Sequence, residues 1–98
     1  MNIAKKLEDK KLTISIDGRL DTSTAPELDE ELKASLAGVE ELVKDFSGME
    51  YMSSAGLSVL LSAQKVMNAQ GEMIVTGAND TVMEIFDITG YTDILTIR

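Results

Sequence analysis

The sequence predicts an α/β domain in which a mixed sheet of four to five strands packs against three or more helices. Three observations carry this. "KLTISID", residues 11–17, alternates polar and apolar side chains at the period of a half-buried strand. Leu28, Leu32 and Leu36 recur at the spacing of one helical face. Strand-like and helix-like segments then alternate through the rest of the chain, which requires crossover connections and so places neighbouring strands parallel.

In order along the chain, Ile3 to Leu7 reads as a first strand, turned back by the polar "EDKK" into residues 11–17, where Leu12, Ile14 and Ile16 share a face. "TAPELDEELKASLAG" follows as a helix: Thr24 stands three residues before Glu27, the capping-box spacing, Pro26 occupies the first turn and Gly38 ends it. "ELVKDF" reads as a strand whose Leu42, Val43 and Phe46 are too dense for a one-sided pattern, which suits a sheet centre. The strand reading continues through "KDFSGMEYM" to the next helix, which runs from about Ser54 to Ala69 and stops at Gly71. "EMIVTG" is a further strand. "NDTVMEIFDITG" is a third helix, with Thr81 and Glu84 as a second capping box and Val82, Ile85 and Phe86 facing inward. "DILTI" closes the sheet. Ninety-eight residues make one domain, 1–98, with no room for a second.

Nine Lys and Arg against seventeen Asp and Glu leave a net charge of −8, which repels phosphate backbones and anionic lipid heads. Nucleic acid and membrane surfaces are therefore not expected partners. The chain has no cysteine, no basic-then-apolar leader and no apolar run approaching the roughly 20 residues of a bilayer span. A cytoplasmic location is the expectation. Gly77 is followed by Ala-Asn where a phosphate-binding loop needs Lys-Ser/Thr, and no G-x-G-x-x-G occurs. Glu30, Glu31, Glu40 and Glu41 lack calcium-loop spacing and read as solvated charges.

The informative stretch is "GMEYMSSAGLSVLLSAQKV", residues 48–66, where a strand signal gives way to a helical one at two adjacent serines. Ser53 and Ser54 fall at the N-cap or first turn, where a hydroxyl caps an orphan N–H. They also lie beyond the C-terminal end of a strand, the place where open α/β sheets put functional groups. Ala55 and Gly56 leave little bulk around them; close packing of the helix on the sheet explains Gly56 equally well. Helical steps from Ser54 reach Ser58, Ser62, Lys65 and Ala69, a small-sided strip, while Leu57, Leu60, Leu61, Val66 and Met67 form the apolar side.

Nucleophilic catalysis does not fit, because the chain has no histidine to act as base and Lys65 lies three turns along the helix. A phosphate fits well. Exposed N–H groups and the helix dipole favour an anion at a helix start, and the modification would bring about −1.5 to −2 charges to one point on a docking face.

These residues resemble a known family. "IDGRLDTSTAPEL", "DFSGMEYMSSAGLSVLL" and "GEMIVTGANDTVMEIFDITG", in that order and spacing, are similar to the bacterial anti-sigma factor antagonists, built on the STAS domain. The resemblance implies a STAS-like fold and a non-enzymatic regulator without a cofactor of its own. It puts the phosphoacceptor on Ser54, with Ser53 second, in the position where well-known members carry Asp. Asp21 matches an acidic position in the loop beside the serine; a turn or N-cap role explains it as well. Asp21, Ser53, Gly56, Ser58 and Ser62 would form the contact surface. The implied partners are an anti-sigma factor serine kinase, whose capture frees a sigma factor, and a metal-dependent serine phosphatase that removes the phosphate. ATP and magnesium would belong to the kinase. The alternative on the same fold is a non-phosphorylated STAS adaptor that scaffolds a transporter or signalling complex.

Overall fold

β1 (Asn2–Glu8) and β2 (Lys11–Leu20) form an antiparallel hairpin that turns at Asp9, a non-glycine residue in the left-handed region with φ 54°. The computed structural model describes residues 1–98. Beyond the hairpin follow α1 (Ala25–Ser35), β3 (Glu41–Asp45), β4 (Met49–Met52), α2 (Ser54–Gln70), β5 (Glu72–Thr76), α3 (Asp80–Thr89) and β6 (Thr96–Ile97). The strands run in the order β1-β2-β3-β5-β6, and every pairing except the hairpin is parallel. β4 pairs in parallel with the far end of β2, so β3 and β4 follow one another along the same partner strand.

The expected α/β class holds, with six strands in place of four to five. The extra strand comes from "KDFSGMEYM", which breaks in two. Asp45 causes the break: its Oδ1 accepts the Ser47 N–H at 3.0 Å and the Ser47 hydroxyl at 2.7 Å, and the Met49 N–H returns to the Phe46 carbonyl at 2.9 Å. Those bonds also hold the Asp45 carboxyl below the usual carboxylate range.

Both capping boxes are replaced. Thr24 occupies the N-cap of α1 without a cap bond; its hydroxyl donates to the Arg19 carbonyl at 2.9 Å and accepts the Asp21 N–H at 2.9 Å. α3 is capped by Asn79, whose side-chain oxygen accepts the Val82 N–H at 2.9 Å while its amide donates to the Met49 carbonyl at 2.9 Å. One side chain thus starts α3 and ties it to β4. α1 ends at Ser35, short of Gly38, and "DILTI" contributes only Thr96–Ile97 because Tyr91–Asp93 forms a 3-10 turn.

Leu12, Ile14, Ile16, Leu42, Phe46, Met73 and Val75 form the buried sheet face, joined in one core with Leu28, Leu32 and Leu36 of α1 and Leu57, Leu60 and Met67 of α2. Gly56 sets how closely α2 approaches. A Cβ there would lie 2.8 Å from both Leu20 Cγ and Cδ2 and 2.9 Å from Met52 Cγ, so only glycine seats the helix at this depth.

Lys44 is the one charged residue in the core. It is fully buried between Ile14 and Val75 in the register, and its Nζ has no partner. Burial pushes its pKa from 10.5 down to about 7, against the opposing charge of Asp29. Each tenfold loss of proton affinity is worth about 1.4 kcal/mol, so forcing Lys44 into the core costs on the order of 4–5 kcal/mol at pH 7.

Two outcomes are expected in denaturant unfolding. Lys44→Met, which keeps the volume and removes the amine, should stabilise the fold by about 2–4 kcal/mol at pH 7. Because the unfolded chain holds this proton up to about 10.5 and the folded chain only up to about 7, the wild type gains stability as pH rises between those values, and the advantage of the variant should shrink across the same window. An advantage independent of pH would show that the lysine is not buried as described. Gly56→Ala should lose about 1–2 kcal/mol despite alanine's better helix propensity, because Leu20 and Met52 must be displaced.

Candidate functional site

α2 begins where β4 ends, and β4 lies against the last residues of β2. The Ser53 N–H donates to the Leu20 carbonyl at 2.8 Å, which fixes the start of α2 beside the loop that opens at Asp21. Ser53 is the N-cap in an extended conformation, φ −93° and ψ 176°. Its hydroxyl makes no cap bond; Oγ is buried and without a partner. The expected helix cap is thus a cap in position only. Ser54 is the first helical residue and is exposed. The first bond into the helix is from the Leu57 N–H to the Ser53 carbonyl at 3.1 Å, which leaves the amides of Ser54, Ala55 and Gly56 without an acceptor inside it. An anion on Ser54 would meet those amides and the positive end of the helix dipole.

Asp21 is half-buried and already engaged. Its Oδ1 accepts the N–H groups of Ser23 at 3.0 Å and Thr24 at 3.2 Å and the Thr24 hydroxyl at 3.3 Å. Partial burial alone would raise its pKa, but these donors outweigh it and hold the carboxyl below the usual range. Its second oxygen lies 3.9 Å from Arg19 Nε, and the Arg19 guanidinium stacks 4.6 Å above the ring of Tyr51, its register partner on β4. The sequence reading missed Arg19 and Tyr51, because the pairing of β4 with β2 that brings them together spans the whole of α1 and β3.

The strip predicted along α2 divides. Ser54, Ser58 and Ser62 are exposed in line, with the Ser58 hydroxyl donating to the Ser54 carbonyl at 3.2 Å. Gly56 is buried against Leu20 and Met52, so it belongs to the packing of α2 and offers no outward surface. Val66, placed on the apolar side from sequence, is 44% exposed, and Gln64 is buried in its stead, its amide bonded to Asn68. α1 supplies the opposite wall of a groove along the serines: one half, about 420 Å³, has Ala25, Pro26 and Asp29 facing Ala55, Ser58 and Ser62, and the next, about 300 Å³, runs on between Leu32 and Val66. Asp29 and Ser62 border both halves. The part of α1 in this wall was not legible in the sequence, because it arises where two helices distant in the chain meet.

No group of three or more acidic, histidine or cysteine side chains is arranged to hold a metal. No helix is long and apolar enough to cross a membrane.

The profile described as the STAS domain matches residues 2–98. The anti-sigma-B factor antagonist of Staphylococcus aureus is 29% identical over 100 residues, spanning all of this chain and 93% of that protein. The antagonist of the same description from Listeria monocytogenes is 30% identical over 103 residues, spanning all of this chain and 90% of its own. Among solved structures, the Bacillus cell fate determinant SpoIIAA in its phosphorylated form superposes with a TM-score of 0.78 at 16% identity, over 99% of this chain and 91% of that one. With the profile matching almost end to end and relatives at this identity aligned over nine-tenths or more of their length, the chain belongs to the STAS domain family, among its anti-sigma factor antagonists.

Proposed function

We propose that this protein binds an anti-sigma factor through the start of α2 and the loop at Asp21, and that phosphorylation of Ser54 ends the interaction. The observation that carries the reading is the position of Ser54: exposed, first in its helix, followed by amides with no helical acceptor, and at the head of the line running through Ser58 and Ser62. The partner is an anti-sigma factor that is also a serine kinase and supplies ATP and magnesium, and a metal-dependent serine phosphatase reverses the modification. The protein itself is a non-catalytic regulator: it offers a hydroxyl and a surface.

The fold tolerates the phosphate, because the helix start accommodates an anion and Ser54 takes no part in the core. The docked partner does not. The phosphate sets a second negative group beside the Asp21 loop, in a chain that already carries −8, at the point where the small side chains of Ala55 and Ser58 let a partner approach the backbone. Ser53, with its hydroxyl enclosed, is the poorer acceptor.

Incubation with an anti-sigma factor kinase, ATP and magnesium should add about 80 Da, one phosphate, on Ser54. Ser54→Asp should keep the unfolding midpoint and weaken binding about 100-fold or more, roughly 2.7 kcal/mol, while Ser54→Ala binds at wild-type strength and gains no mass. Undiminished binding by the Asp variant would sink the switch. Stable assembly with transporter or scaffold subunits and no mass gain would point instead to the adaptor role.

A further inference from the structure

A single cation stands at the edge of the proposed docking face. Across residues 17–24 and 47–62, which hold the end of β2, the Asp21 loop, β4 and the first half of α2, Arg19 is the only basic residue. Successive residues of a strand face opposite sides of a sheet, and Leu20 and Met52 are buried, so their neighbours Arg19 and Tyr51 point away from the core. The Arg19 side chain is 59% exposed.

Its charge is not satisfied within the chain. Lys5, Lys6, Lys10 and Lys33 each hold a carboxylate at 2.7 to 3.3 Å. Asp21 lies 3.9 Å from Arg19 Nε, beyond hydrogen-bond length, and its other oxygen is taken by Ser23 and Thr24. The Tyr51 ring supports the guanidinium instead, 4.6 Å from its centroid. Stacking fixes the plane of the fork and leaves its N–H edge to solvent, so a group that bonds there meets a side chain already ordered. The group that matches the fork is a carboxylate, which accepts two parallel N–H bonds.

We propose that Arg19, stacked on Tyr51, is the point where the anti-sigma factor sets an aspartate or glutamate side chain. The inference rests on the function proposed above and adds the chemistry of the partner at one position. Tyr51 precedes Ser54 by three residues, so their Cα atoms are at most about 11 Å apart, and an interface of ordinary size, roughly 800 Å² on each side, covers both. A phosphate on Ser54 then stands near the partner's carboxylate and repels it, which gives release of the partner a direct electrostatic cause.

The test is a calorimetric titration of the full chain into an anti-sigma factor serine kinase that binds the wild type, without ATP so that Ser54 stays unmodified. Arg19→Glu should bind about 100-fold more weakly, and Arg19→Lys, which keeps the charge but loses the fork and the stack, about tenfold. The loss in Arg19→Glu should shrink as salt is raised from about 0.05 to about 0.5 M. A kinase in which the matching carboxylate is reversed to lysine should bind Arg19→Glu better than the wild type. Arg19→Lys keeps the test decisive should Arg19→Glu disturb the pairing of β2 with β4. Undiminished binding by both Arg19 variants overturns the proposal, and so does tighter binding by Arg19→Glu, since the partner then presents a cation. Ser54→Asp separates the two readings: release of that variant with no loss in the Arg19 series removes the Arg19 contact alone, whereas wild-type binding by Ser54→Asp removes the phosphorylation switch.

Discussion

The close approach of α2 to the end of β2 is the constraint on which the site depends. It exists because Gly56 has no Cβ to meet Leu20 and Met52. The same approach lets the Ser53 N–H reach the Leu20 carbonyl, which places the first turn of α2 beside the Asp21 loop and turns Ser54 outward. A larger residue at position 56 would lift the helix and separate these groups together, since they share one contact. Gly56 therefore governs the surface from inside the core.

The strand and helix order was legible because the apolar periods are clean: Leu12, Ile14 and Ile16 in β2, Leu28 and Leu32 in α1, Val82 and Phe86 in α3 are all buried. The helix starts were misread where a residue of the right type had a better partner elsewhere. Thr24 bonds back to Arg19 and Asp21, and Asn79, two residues before the expected Thr81, takes the cap because its amide also reaches Met49. The split of "KDFSGMEYM" rests on a local bond from Asp45 to Ser47 that competes with strand extension. At the site, the position and exposure of Ser54, Ser58 and Ser62 could be read from helical spacing. The groove wall on α1 and the Arg19–Tyr51 stack could not, because both arise from contacts between segments distant in sequence.

Lys44 shows the limit of pattern reading most plainly. "ELVKD" gives it a strand position with alternating neighbours, and a lysine there is ordinarily taken as the solvent side. Leu42 and Phe46 instead fix its parity to the core face, and with helices over that face the amine has no route to water. The molecule thus carries a large local destabilisation at the centre of its sheet, while Ser54 lies exposed at a helix start, where the core is indifferent to charge. The cost of burial falls on β3 and the exposed serines on α2, on separate residues.

The tandem placement of β3 and β4 along β2 also bears on how the chain comes together during synthesis. Only the β1–β2 hairpin is local; the parallel pairings of β2 with β3, β2 with β4 and β3 with β5 join residues about 30 positions apart. β4 cannot find β2 until α1 and β3 have crossed over, and α2 cannot seat Gly56 until β4 has brought Met52 beside Leu20. A nascent or partly unfolded chain therefore displays its serines on an unanchored segment, away from the Asp21 loop. A partner that needed both Ser54 and the Asp21 loop would meet them side by side only in the folded chain.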